Sequence, residues 1–164
     1  MVCLAAAAIL VEVVAAVAAR RSNSILAPIA RELGDLVEVR HDADGAYGYI
    51  NLGGGMKVVD APVRLGRRQR LLVEGPGVLT VNLSGRRGSR VAMRNCTVFD
   101  TTEDPDPANS PHFTLLEGCY LNFVNLENLD ERDFADPHDE KTSIMLFGGP
   151  TQSARSFVDR LNAK

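Results

Sequence analysis

Two acidic runs and two basic runs hold most of the residues able to do chemistry. "DTTEDPDPANS" carries Asp100, Glu103, Asp104 and Asp106, and "ENLDERDFADPHDE" carries Glu127, Asp130, Asp133 and Asp136. Carboxylates gathered in this number offer hard oxygen ligands to Ca²⁺, or the acid and base of a glycosidase. Their spacing is not that of an EF-hand loop. Pro105, Pro107, Pro111 and Pro137 point instead to ordered, extended loops suited to contact with another chain. The basic runs place Arg67, Arg68 and Arg70 before one apolar stretch and Arg86, Arg87 and Arg90 before the next. If the two stretches stack, these side chains form a positive ridge that suits a phosphate backbone, a sulfated glycan or the acidic surface of a neighbouring subunit. No aromatic residues interleave with the ridge, and the net charge of the chain is −3, so nucleic acid is not the expected partner.

No catalytic residue is assigned. Cys3, Cys96 and Cys119 are an odd number at spacings unlike C-x-x-C, which suggests neither a disulfide scaffold nor a zinc site. His41, His112 and His138 are scattered over polar segments and read as surface histidines. There is no G-x-S-x-G, and "INLGGGMK" lacks the downstream Gly-Lys-Ser/Thr of a phosphate loop. Carbohydrate chemistry at the acidic runs, with Ca²⁺ as the one conceivable cofactor, is the enzymatic alternative.

The elements that must position these residues are short. Past Gly34 the chain breaks into "LVEVRH", "YGYINL", "MKVVDAPVRL", "RLLVEG", "GVLTVNL", "RVAMRN", "TVFDT", "FTLLEG", "YLNFVNL" and "SIMLFGG", all rich in β-branched and aliphatic residues. Aligning "RLLVEGPGVLTVNLSG", "RVAMRNCTVFDTTED" and "FTLLEGCYLNFVNLEN" brings Gly75, Asn95 and Gly118 into coincidence, at intervals of 20 and 23 residues. An internal repeat of this length signals stacked coils. In such a stack each strand pairs in parallel with its equivalents above and below, about 4.8 Å away, and the backbone is satisfied by neighbours. Gly and Asn then mark corners that need a left-handed residue. Cys96 and Cys119 become small side chains at stacked corners.

The segment "YINLGGGMKVVDAPVRLGRRQRLLVEGPG", with "VAMRNCTVFDT" as a later coil, resembles the right-handed parallel β-helix proteins of the pectate-lyase-like superfamily, phage tailspikes among them. The resemblance is one of pattern and spans Leu36 to Gly149. It implies a short right-handed parallel β-helix of about five coils. A PH-like β-barrel closed by a C-terminal helix is the competing fold. The Asn-Thr-Asp, Asp-Asp and Gly-His-Gly motifs of polygalacturonase-like members are absent, so no catalytic residue carries over.

Both ends call for caps, because a solenoid's terminal coils expose apolar interiors and unpaired edges. Residues 1–34 are expected to form an N-terminal helical cap or oligomerisation segment, 35–150 the solenoid, and 151–164 a C-terminal helical cap with Phe157, Val158 and Leu161 on one face. Val2 to Ala19 is almost wholly apolar, but eight alanines, Glu12 and the missing positive leader argue against both a membrane span and a signal peptide. The expectation is a non-enzymatic, self-associating building block of a virion or surface appendage, complete and capped at both ends. A glycan-binding or carbohydrate-active β-helix protein is the alternative.

Overall fold

Strands of three to ten residues, separated by tight polar corners, satisfy their backbones by stacking coil on coil. The computed structural model describes residues 33–102, 109–123, 129, 131–146 and 150–163. The expected N-terminal helix lies outside the described residues. The strands are β1 (Glu38–Asp42), β2 (Gly45–Asn51), β3 (Met56–Leu65), β4 (Arg70–Glu74), β5 (Val78–Gly85), β6 (Arg90–Arg94), β7 (Thr97–Asp100), β8 (His112–Leu115), β9 (Tyr120–Phe123), β10 (Ser143–Leu146) and β11 (Thr151–Ser153), followed by helix α1 (Ala154–Asn162). Each of the ten β-type runs read from the sequence overlaps a strand.

From β2 to β9 consecutive strands belong to opposite sheets. Sheet A runs β1-β2-β4-β6-β8, and sheet B runs β11-β10-β9-β7-β5-β3. From β2 to β8 and from β3 to β10 every pairing is parallel. A barrel made of an antiparallel meander cannot produce this pattern, so the chain is a β-solenoid. It has about four turns, slightly fewer than the five expected, with a bridge from Leu115 to Phe134 and strand β10 opening the next.

Register determines the core. On sheet A, Ile50, Val73, Met93, Leu115 and Phe134 stack in one column, and Leu71, Val91 and Phe113 in another. On sheet B, Leu79, Val98, Leu121 and Ile144 stack in the same way. These side chains are buried and belong to one continuous apolar cluster between the sheets. Burying each large aliphatic side chain stabilises the fold by roughly 1.5–3 kcal/mol.

The sequence repeat marks one line of corners. Gly75 N–H donates to the Arg94 carbonyl and Asn95 N–H donates to the Glu117 carbonyl, each linking one coil to the next. Asn95 adopts φ 49° and Gly118 φ 60°, the left-handed conformation expected there. A Cβ on Gly75 would lie 1.7 Å from the Asn95 carbonyl oxygen, so the coils approach too closely for any side chain at that position. Cys96 and Cys119 follow the corner residues in successive coils, and Tyr120 N–H donates to the Cys96 carbonyl. Both thiols are buried and free. A hydrogen bond with Cys119, together with burial, pushes the Cys96 thiol up from its ordinary value.

The ends are treated differently. At one end β11 turns back antiparallel on β10, and α1 lays Ala154, Phe157 and Val158 into the core. Phe157 sits 5.9 Å from the Phe134 ring. Ser153 caps α1, its hydroxyl accepting from Ser156 N–H at 3.3 Å. At the other end β1 pairs antiparallel with β2 and covers the edge of sheet A. Strand β3 forms the edge of sheet B there, with Met56 and Val58 exposed. Its register shifts between Val59 and Val63, and Pro62, which has no N–H to offer, is accommodated in that irregular stretch of an edge strand.

Candidate functional site

Two surfaces collect the chemistry-bearing side chains: the outer face of sheet A and the corner where sheet B returns to sheet A. On the first, residues that alternate with the core columns point outward. Arg70, Arg90 and His112 stand in register on β4, β6 and β8, and Leu72, Ala92 and Thr114 form the adjacent column. The hairpin of β1 and β2 rises beside them. Arg70 donates to both oxygens of Asp42, at 2.9 and 2.7 Å, and to the Gly45 carbonyl at 2.8 Å. Its guanidinium also lies 5.5 Å from the Tyr47 ring centroid. The bidentate bond to Arg70 holds the Asp42 carboxyl below the ordinary carboxylate range. His112 Nδ1 lies 3.4 Å from Asp133 Oδ1, and Asp133 is buried.

These groups border a groove of about 270 Å³. Its floor is apolar, made by Leu72, Ala92 and Leu116, while Tyr47, Arg70 and Arg90 stand around it. A second polar lattice continues along the same face. Arg40 stacks 3.3 Å from the Tyr49 ring centroid, Tyr49 Oη donates to Glu74 at 2.7 Å, and Arg94 donates to the other Glu74 oxygen at 3.2 Å. The Tyr49 hydrogen bond, followed by that of Arg94, holds Glu74 below its ordinary value.

The second surface is the returning corner. The turns 66–69 and 86–89 are equivalent, each closed by a backbone bond, Gln69 N–H to the Gly66 carbonyl and Ser89 N–H to the Arg86 carbonyl. Gln69 and Ser89 are buried under the turns, and Gly66 N–H donates to Gln69 Oε1. Arg67, Arg68, Arg86 and Arg87 are exposed at the turns, and among the described residues none of them has an ion-pair partner. Arg90 is likewise exposed with no acidic partner among the described residues.

The structure thus divides the six arginines: Arg70 is held by Asp42, and the other five are open to solvent. Of the acidic set, Glu103, Asp104, Asp106, Glu127 and Asp130 lie outside the described residues. Asp100 is in register with the core residue Val81, and its Oδ1 accepts from Thr102 N–H at 3.0 Å and Leu83 N–H at 3.4 Å. Burial pushes its pKa up. Asp133 is buried beside His112, whereas Asp136 is exposed and accepts from His138 N–H at 2.8 Å. These three do not converge, and among the described residues no group of three or more His, Cys, Asp or Glu side chains is placed to hold a metal ion. No helix among the described residues is long and apolar enough to cross a membrane.

Asp42, Tyr47 and Leu72 escaped the sequence reading. Asp42 lies 28 residues from Arg70, outside the aligned repeat, and only the hairpin joins them. Comparison of the chain with protein-family models, curated proteins and solved structures finds no match among any of them.

Proposed function

We propose that the chain is a non-enzymatic assembly module, a rigid β-solenoid that associates with copies of itself through its charged corner. One observation carries this reading: two successive turns of that corner each present exposed arginines. The first two returns carry Arg67, Arg68, Arg86 and Arg87, which have no ion-pair partner among the described residues. In the sequence, the acidic runs follow at the ends of β7 and β9. A second copy related by a two-fold axis across the corner sets basic turns against acidic connections twice over, as an isologous interface requires. The exposed Met56 and Val58 on the β3 edge add apolar surface at the basic end.

Parallel coils with a stacked Asn95 corner also support kinship with the pectate-lyase-like β-helices, and by analogy with tailspikes a virion or surface appendage as the setting. The test is light scattering coupled to size exclusion at low and high salt. The intact chain is expected to form an oligomer that salt dissociates. Reversing Arg67→Glu, Arg86→Glu and Arg87→Glu together is expected to leave a folded monomer. An intact chain that is monomeric at both salt concentrations overturns the proposal, and Ca²⁺-dependent retention on an acidic glycan column then becomes the measurement for the carbohydrate alternative.

A further inference from the structure

We propose that the groove on the outer face of sheet A binds a small carboxylate with an apolar body, its carboxylate seated on Arg90 and its body on Leu72 and Ala92. The argument begins with the column Arg70, Arg90, His112. The two outer members each have a carboxylate: Asp42 on Arg70 at 2.7 Å, and Asp133 at 3.4 Å from His112. The middle member has none among the described residues. Strand spacing places these groups on successive rungs about 4.8 Å apart. Asp42 is already bidentate with Arg70 and is not free to serve Arg90 as well. A guanidinium between two satisfied neighbours leaves one unmatched positive charge at the groove, and a planar carboxylate matches its fork with two parallel hydrogen bonds.

The floor specifies the rest of the ligand. Outward positions on a solvated sheet face are normally polar. Here Leu72 and Ala92 occupy them and are only partly exposed, and Leu116 extends the apolar surface. Tyr47 provides a wall whose ring is fixed beside Arg70. An apolar floor with a few charged groups at its margin, here Asp42 bound to Arg70 with Arg90 beside the pair, is the usual composition of a small-molecule site, and about 270 Å³ puts this one just below the usual size range. That volume admits a ring or a short chain. A doubly charged phosphate ester is a poorer match, since only one unpaired cation borders the floor.

The test uses 3-phenylpropionate as the probe and 3-phenylpropanol as its neutral counterpart, titrated into the intact chain and followed by amide chemical shifts. Saturable shifts centred on Leu72, Ala92 and Arg90 are expected with the acid, and affinity roughly tenfold or more weaker with the alcohol. Arg90→Gln is expected to reduce affinity for the acid to that for the alcohol. Ala92→Leu, which fills the floor and keeps Arg90, is expected to abolish binding of both. No saturable shift with the acid, equal affinity for acid and alcohol, or unchanged binding in either variant overturns the proposal. The outcome is read separately from the assembly reading, which uses the arginines of the turns themselves and is scored by mass.

Discussion

Arg68 and Gly88 occupy the same position in successive turns, and both are left-handed, at φ 60° and φ 81°. One backbone geometry is thus imposed on two residues with very different tolerance for it. A non-glycine residue there costs about 1–2 kcal/mol, part of which glycine gives back through the entropy of its unfolded chain. Arg68→Gly is therefore expected to stabilise the fold by about 0.5 kcal/mol. Gly88→Ala is expected to destabilise it by about 1 kcal/mol for conformational reasons alone, because the added Cβ meets only Arg68 Cγ at an ordinary 3.5 Å. Urea midpoints at constant m-value measure both. Shifts of the same sign for the two variants would show that the turns are not equivalent.

Gly75→Ala tests the closeness of the coils. Its Cβ would meet backbone, the Asn95 carbonyl oxygen at 1.7 Å, and backbone cannot swing aside as a side chain can. A loss of about 3 kcal/mol or more is expected in thermal unfolding. A variant within about 1 kcal/mol of the parent would mean that the Gly75 and Asn95 backbones are not in contact.

Column packing predicts which core mutations couple. Leu121→Ala removes a fully buried side chain stacked between Val98 and Ile144, and is expected to cost about 2–5 kcal/mol. Combined with Val98→Ala, its neighbour on the next rung, the two losses are expected to deviate from additivity by more than about 0.5 kcal/mol. Combined with Ile50→Ala, at the other end of the solenoid on the other sheet, they are expected to add. A double-mutant cycle in denaturant distinguishes the two patterns.

Two carboxylates should respond to pH in opposite directions. Asp100 has a folded pKa raised by burial, so its contribution to stability is fully present below the unfolded carboxylate range and is lost as pH rises through the folded value. Asp100→Asn keeps the Oδ1 acceptor and removes the charge. It is expected to raise Tm at neutral pH, with the gain vanishing in acid. Glu74 has a folded pKa lowered by Tyr49 and Arg94, so its contribution is present above the unfolded range and is lost as pH falls through the folded value. Glu74→Gln is expected to lower Tm at neutral pH, with no difference from the parent in strong acid. Tm against pH for both variants and the parent provides the check, and curves that stay parallel from neutral pH to acid would contradict both assignments.

Much of the solenoid was legible because its corners recur in the chain. Gly75, Asn95 and Gly118 coincide in sequence because they stack in space, and the alternation of apolar residues within each run carries the register of the core columns. The returning turns were legible as well, through the repeated arginines. The groove was not. Its floor comes from Leu72 and Ala92, and in "RLLVE" and "RVAMR" an apolar outward residue lies between two apolar inward ones, so the run reads as uniformly buried. Its walls come from a hairpin outside the repeat, and the pairing of Asp42 with Arg70 depends on a long-range contact that no local pattern announces. Asp100 belongs both to the β-type run "TVFDT" and to an acidic run grouped for its exposed chemistry, and the strand's alternation turns it toward the interior beside Val81.

The parallel register also constrains how such a molecule can vary in length. Because Leu65 is level with Gly85 and Arg70 with Arg90, the twenty residues from 66 to 85 form a unit whose entry and exit are superimposed one rung apart. Duplicating or excising that unit leaves β1 and α1 facing the same kind of neighbours as before and changes the height by a single step of about 4.8 Å. The solenoid is a ruler graduated in whole coils, and any insertion that is not a multiple of a coil must leave it sideways, as a loop.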